Sequence, residues 1–173
     1  DFLLKKAEEL AAEAFGTQRT YFLVNGASVG IMAAFLSLKN SAPEVLVARD
    51  CHLSVINGLI LSGLKPIFLS PVWVEGLPCL PSVEEIENAL KEYPGVAGVF
   101  LTNPGYHGIY GPLKKIAALC HRKKIPLLLD EAHGGHLKYI NPDAEEGSTV
   151  GADLWVWGTH KMMGSLTQTG MLH

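Results

Sequence analysis

The run Ile125-Pro126-Leu127-Leu128-Leu129-Asp130-Glu131-Ala132-His133 decides the fold. An uncharged apolar stretch leads straight to a carboxylate, then to a second acid, a histidine and the turn Gly134-Gly135-His136. Such a run reads as a strand buried on both faces, as the strands of a parallel sheet are. Similar β-like runs lie upstream at Tyr21–Val24, Val45–Ala48, Pro66–Leu69 and Val96–Leu101, and downstream at Leu154–Trp157. Helical stretches separate them. Val29–Leu38 is apolar and Ala-rich, Ser54–Ser62 follows the second run, and Leu113–Lys124 has helical spacing with Pro112 at its start. Ser82 is the predicted N-cap of a helix running to about Tyr93, with Glu85 as capping-box partner. Residues 1–16 read as an amino-terminal helix, and Pro71–Pro81 as a Pro-rich loop. Strands alternating with helices predict a three-layer α/β/α fold around a mainly parallel sheet.

Composition narrows the function classes. The 173 residues are 48% hydrophobic and 18% charged, with a net charge of −3 and a mean hydropathy of +0.21. This excludes a disordered chain, and scattered Lys and Arg give no basic footprint for nucleic acid. The greasiest stretch, Leu53–Leu64, is broken by Asn57, Gly58 and Gly63. It falls short of a membrane span, so no membrane partner is expected. Three cysteines without CxxC spacing point to a reducing, cytoplasmic setting.

Parallel sheets bind ligands at the carboxyl ends of their strands, so the residues just past each run matter most. They are Asn25-Gly26-Ala27-Ser28, Arg49-Asp50-Cys51-His52, Thr102-Asn103-Pro104, Asp130-Glu131-Ala132-His133 and Gly158-Thr159-His160-Lys161. The first is a Gly/Ser turn opening a helix, which suits a phosphate but also serves as a plain connector. Asp130, ending an apolar strand, either caps its turn or holds a cationic ligand atom. Lys161, just past an apolar strand, is either an ordinary solvated lysine or a Schiff-base amine favoured by low-dielectric surroundings. Asp130-Glu131-Ala132-His133 spells a helicase box, but no GxxxxGK[ST] loop accompanies it. His133 and His136 lack the spacing of a metal site, so no metal is expected.

Taken in order, these segments resemble the major domain of the Orn/Lys/Arg decarboxylase family, within the fold-type-I pyridoxal-5′-phosphate enzymes. The match rests on Asn25–Gly30, Arg49–Val55, Asn57–Gly63, Pro126–His136, Gly151–Leu154 and Thr159–Lys161, continuing through Leu166-Thr167-Gln168 to Met171-Leu172-His173. It implies a transferase-like large domain over 17–173, truncated relative to the family, behind the helix at 1–16. It also implies pyridoxal 5′-phosphate as cofactor and decarboxylation of lysine, arginine or ornithine to a polyamine-pathway amine. By this resemblance Lys161 would bind the cofactor aldehyde and Asp130 its ring nitrogen. His52 would stack on the ring and serve as a candidate proton donor. Ala27 and Ser28, helped by His160, would hold the phosphate, Thr159 would also bind the cofactor, and His133 would sit near the ring oxygen or the substrate carboxylate. A homodimer or higher homo-oligomer is implied as well. The sequence departs from the family pattern at Gly158, where Ser is usual, at Leu53, where Lys is usual, and at Pro104-Gly105-Tyr106, where Pro-Thr-Tyr is usual. Other readings are another fold-type-I activity (aminotransferase, lyase or condensing enzyme) and a non-catalytic fragment of the fold.

Overall fold

A computed structural model describes residues 2–173. The chain runs α1 (Phe2–Phe15), β1 (Tyr21–Leu23), α2 (Gly26–Leu38), β2 (Glu44–Ala48), α3 (Leu53–Ser62) and β3 (Lys65–Leu69). It continues through β4 (Val72–Val74), β5 (Leu77–Cys79), α4 (Val83–Glu92), β6 (Val99–Thr102), α5 (Leu113–Lys123) and β7 (Leu127–Asp130). The last elements are α6 (Leu137–Ile140), α7 (Gly147–Val150), β8 (Leu154–Trp157), α8 (Thr159–Met162) and β9 (Gly170–Leu172).

The predicted α/β sandwich is the observed one. Seven strands form one sheet in the order β1-β9-β8-β7-β6-β2-β3. From β8 to β3 every pairing is parallel, and β9 runs antiparallel to both β8 and β1. Burial on both faces explains the unbroken apolar runs. Val45, Val47 and Phe100 face α2 and α3, packing with Phe35 and Leu59. Leu46, Leu101 and Leu127 face the opposite way, packing with Ile86 of α4 and Ile116 of α5. Phe35 and Phe100 meet with ring centroids 4.8 Å apart at the centre of the first layer.

Three local readings change. The segment expected to be a Pro-rich loop carries the hairpin β4–β5, turned at Glu75 and Gly76, which both have positive φ. That is the backbone twist that two-residue hairpin turns require. Ser82 does accept from the Glu85 amide at 3.0 Å, but the Glu85 carboxylate accepts from Ser70 N–H at 3.1 Å. The capping box is therefore half formed, and Glu85 ties α4 to the end of β3. Finally, α2 begins at Gly26 rather than Val29, which brings the Gly/Ser turn into the helix itself.

Candidate active site

The carboxyl ends of β8, β7, β6 and β2 open on one rim, where they meet the first turn of α2. A cavity of about 500 Å³ lies there, within the range of small-ligand sites. Of the residues expected to carry chemistry, it gathers Ala27, Ser28, His52, Asp130, His133, His160 and Lys161 in its wall.

The turn into α2 depends on Gly26, whose φ of +74° suits a residue without a Cβ. Asn25 makes no side-chain capping bond to the first N–H groups of α2, and Ala27 and Ser28 of that turn line the cavity. Gly170 of β9 backs this turn. A Cβ there would stand 2.9 Å from the Ala27 nitrogen and 2.8 Å from the Trp157 carbonyl oxygen. The sheet can approach the helix start only because position 170 lacks a side chain.

Asp130 is buried at the end of β7, and its Oδ1 accepts from Ala132 N–H at 3.0 Å. Burial pushes its carboxyl above the usual range, opposed by that amide and by the charges of Lys161 and His52. A carboxyl in such a place gains most from a cationic partner.

Lys161 Nζ lies 3.1 Å from His133 Nε2. Burial, together with Lys161, His160 and His52, pushes the His133 pKa down. The neutral ring is thereby favoured, and Nε2 can accept a hydrogen bond from Lys161 Nζ. Lys161 itself is exposed, in contrast to the low-dielectric setting that the preceding strand suggests. Its specific neighbour is a histidine, not an apolar wall. Gly158 leaves room for its stem, since a Cβ there would come within 3.1 Å of Lys161 Cδ and 2.9 Å of the Ala132 carbonyl oxygen.

Two further histidines have assignable tautomers. His52 caps α3, with Nδ1 accepting from Ser54 N–H at 3.1 Å, so the neutral ring carries its proton on Nε2. His160 Nδ1 lies 2.7 Å from the Thr169 carbonyl oxygen, so Nδ1 donates and Nε2 is free. Thr159 has a different place from the one expected. It is buried, its hydroxyl donates to Thr169 Oγ1 at 3.0 Å, and it lines a separate apolar cavity beside β1 and β9. That hydroxyl is spent on the loop before β9.

The cavity wall also contains Asp50, Thr102 and Gln168, which lie in the quoted segments but were given no role there. On the other side of the sheet from the cavity lies Glu131, fully buried. Its oxygens accept from Gly147 N–H at 2.7 Å and from Trp157 Nε1–H at 3.0 Å.

Comparison with known proteins identifies the family. The family described as Orn/Lys/Arg decarboxylase, major domain, matches residues 3–173. An arginine decarboxylase of Halalkalibacterium halodurans is 38% identical over 99% of this chain and 35% of its own length. Lysine decarboxylase LdcA of Pseudomonas aeruginosa is 28% identical over 98% of this chain and 25% of its own. The chain thus spans between 25% and 38% of the length of the curated relatives it matches. Among solved structures, the pyridoxal-5′-phosphate dependent protein YhfS from Escherichia coli superposes with a TM-score of 0.76 at 14% identity. That match covers 98% of this chain and 43% of YhfS, and it shows a shared fold. With a family match over nearly its whole length, the chain belongs to the Orn/Lys/Arg decarboxylase family.

Proposed function

We propose that this chain is the cofactor-binding part of an enzyme that decarboxylates a basic amino acid (lysine, arginine or ornithine) to the corresponding amine and CO₂. The observation that carries this reading is the contact between Lys161 and the neutral His133 in a cavity floored by the buried Asp130. The residues fit pyridoxal 5′-phosphate. An open helix start at Ala27 and Ser28 suits a phosphate, aided by the free Nε2 of His160 when protonated. Asp130 suits a protonated ring nitrogen, whose charge would keep the carboxylate ionised despite burial. Lys161 would supply the amine that holds the cofactor's aldehyde end. When bound, the cofactor supplies an electron sink for the bond broken at the substrate α-carbon.

The remaining steps belong to side chains. His133 Nε2, 3.1 Å from Lys161 Nζ, would hold that amine in place in the cavity. His52, held by Ser54, is the side chain placed to pass a proton back to the α-carbon, and the Ser54 hydroxyl 2.8 Å from Nδ1 can accept from that nitrogen when the ring carries both protons. The whole protein is read as a cytoplasmic homodimer or higher homo-oligomer supplying polyamine precursors, with residues 17–173 as the major domain behind the helix at 1–16. Exposed Leu3, Leu53 and Ile60 support a partner surface.

The test is an absorbance spectrum of the full-length protein with pyridoxal phosphate. A band near about 420 nm is expected, together with CO₂ release from at least one of the three amino acids. Survival of that band in Lys161→Ala overturns the assignment.

A further inference from the structure

A phosphate monoester spreads a charge of about −2 over three acceptor oxygens, more than one helix turn completes by itself. The phosphate end read above has the turn at Ala27 and Ser28 and the free Nε2 of His160. Asp130 and Lys161 are committed to the ring nitrogen and the aldehyde. Among the described residues, two side-chain amides also line the cavity, those of Asn25 and Gln168. Asn25 precedes the turn in the chain, whereas Gln168 is brought to it by the fold. Its Cβ lies 3.8 Å from where a Cβ on Gly26 would stand, which is ordinary contact with the first residue of α2. Gln168 is exposed as well as cavity-lining, so a ligand can reach it.

The backbone that carries Gln168 is held in place. Thr169 Oγ1 donates to the Leu166 carbonyl oxygen at 2.7 Å and accepts from the Thr159 hydroxyl at 3.0 Å. Ser165 Oγ, 2.6 Å away, then donates to its second lone pair. The Thr169 carbonyl oxygen accepts from His160 Nδ1 at 2.7 Å. One residue on, Gly170 opens β9 so close to α2 that a Cβ there would stand 2.9 Å from the Ala27 nitrogen. Gln168 is thus followed by the residue that orients the His160 ring, then by the residue that backs the start of α2. A donor on a backbone fixed in this way has little main-chain freedom left to lose on binding.

We propose that Gln168 is a phosphate ligand, its side-chain amide donating to the cofactor's phosphate beside the turn at Ala27 and Ser28. The assignment rests on the pyridoxal-phosphate reading for its ligand. A glutamine amide has two N–H donors and no negative charge, so it can serve phosphate oxygens without repelling them. Hydrogen bonds to an ionised acceptor are the strong kind. The ring and aldehyde ends are met by Asp130 and Lys161. What Gln168 contributes should therefore appear with a phosphate ester and vanish with the free alcohol.

The test is calorimetric binding of pyridoxine 5′-phosphate and of pyridoxine to the full-length protein freed of cofactor. Neither compound has an aldehyde, so neither bonds to Lys161, and the ratio of their affinities reads the phosphate alone. The wild type is expected to prefer the phosphate ester by about a hundredfold or more. In Gln168→Leu that preference should fall by about tenfold, because a charge-assisted contact is lost. In Gln168→Glu it should fall further, because a carboxylate then faces the phosphate. Pyridoxine affinity should hold within about twofold in both variants. Asn25→Ala is the comparison and should move the preference less than Gln168→Leu does. No preference in the wild type, an unchanged preference in both Gln168 variants, or a loss confined to Asn25→Ala overturns the assignment. The visible band with pyridoxal phosphate is scored separately. A preference lost in the Gln168 variants, with no band from the wild type, would retain the phosphate contact and reject the role of Lys161. A wild-type band with the preference intact in both variants would reject Gln168 alone.

Discussion

Replacing Glu131 by Gln should reverse the order of stability between acid and alkaline pH. The Glu131 carboxyl is fully buried, and burial pushes its pKa from 4.5 to about 8, with the nearby Glu146 adding to the rise. Bonds from Gly147 N–H and Trp157 Nε1–H oppose that shift without cancelling it. The folded state therefore keeps a proton that the unfolded chain releases above pH 4.5. Stability from this group is complete below pH 4.5 and is lost as pH rises through about 8. At about 1.4 kcal/mol per pH unit, the loss over that interval is about 5 kcal/mol. Gln has no such proton to lose, so this slope should vanish. At pH 5 the variant should be less stable by about 1–3 kcal/mol, because one buried donor then faces an amide NH₂. Near pH 9 it should be the more stable protein. Urea titrations of the full-length protein at pH 5, 7 and 9, followed by tryptophan fluorescence, read both limbs. Parallel pH curves for the two proteins would refute the reasoning.

Other substitutions test the site and its supports. Asp130→Asn should weaken pyridoxal-phosphate loading by about tenfold or more in a fluorescence titration, because a charge-assisted contact is lost. Its melting temperature should hold or rise, since a buried carboxylate has been removed. Gly170→Ala should cost about 1–3 kcal/mol by denaturant titration, since its Cβ meets backbone atoms of Trp157, Ala27 and Gly26 that have no rotamer to yield. The same variant should also load phosphate-bearing cofactor less tightly. Ser82→Ala should cost about 1 kcal/mol through the lost cap of α4 while leaving loading untouched, because α4 lies on the layer away from the cavity.

The layered fold and most of the rim were legible in the residue pattern because both follow from long-lived physical rules. A strand buried on both faces must be apolar along its length, and parallel strands end at the same edge. The β4–β5 hairpin was not legible because its Val72-Trp73-Val74 strand is exposed and shows no alternation. β9, three residues long, is too short to carry a period of its own. Thr159 shows a second kind of failure. Standing next to His160 and Lys161 in the chain did not bring it to the cavity, because its hydroxyl found Thr169 instead.

Asp130 and Glu131 show why a motif cannot apportion roles among its own letters. They are adjacent acids at one strand end, both buried, and both pushed upward by burial. Successive side chains of an extended segment point to opposite faces, so one enters the cavity and the other the layer behind it. There Glu131 bonds the indole of Trp157, the residue before Gly158-Thr159-His160-Lys161, and the amide that starts α7. It thereby links the end of β7 to the end of β8, across which Asp130 and Lys161 must be held together. A cavity-facing carboxylate is recognisable from an apolar run ending in an acid. Its neighbour became interpretable only through partners 16 and 26 residues away, and no local spacing encodes those.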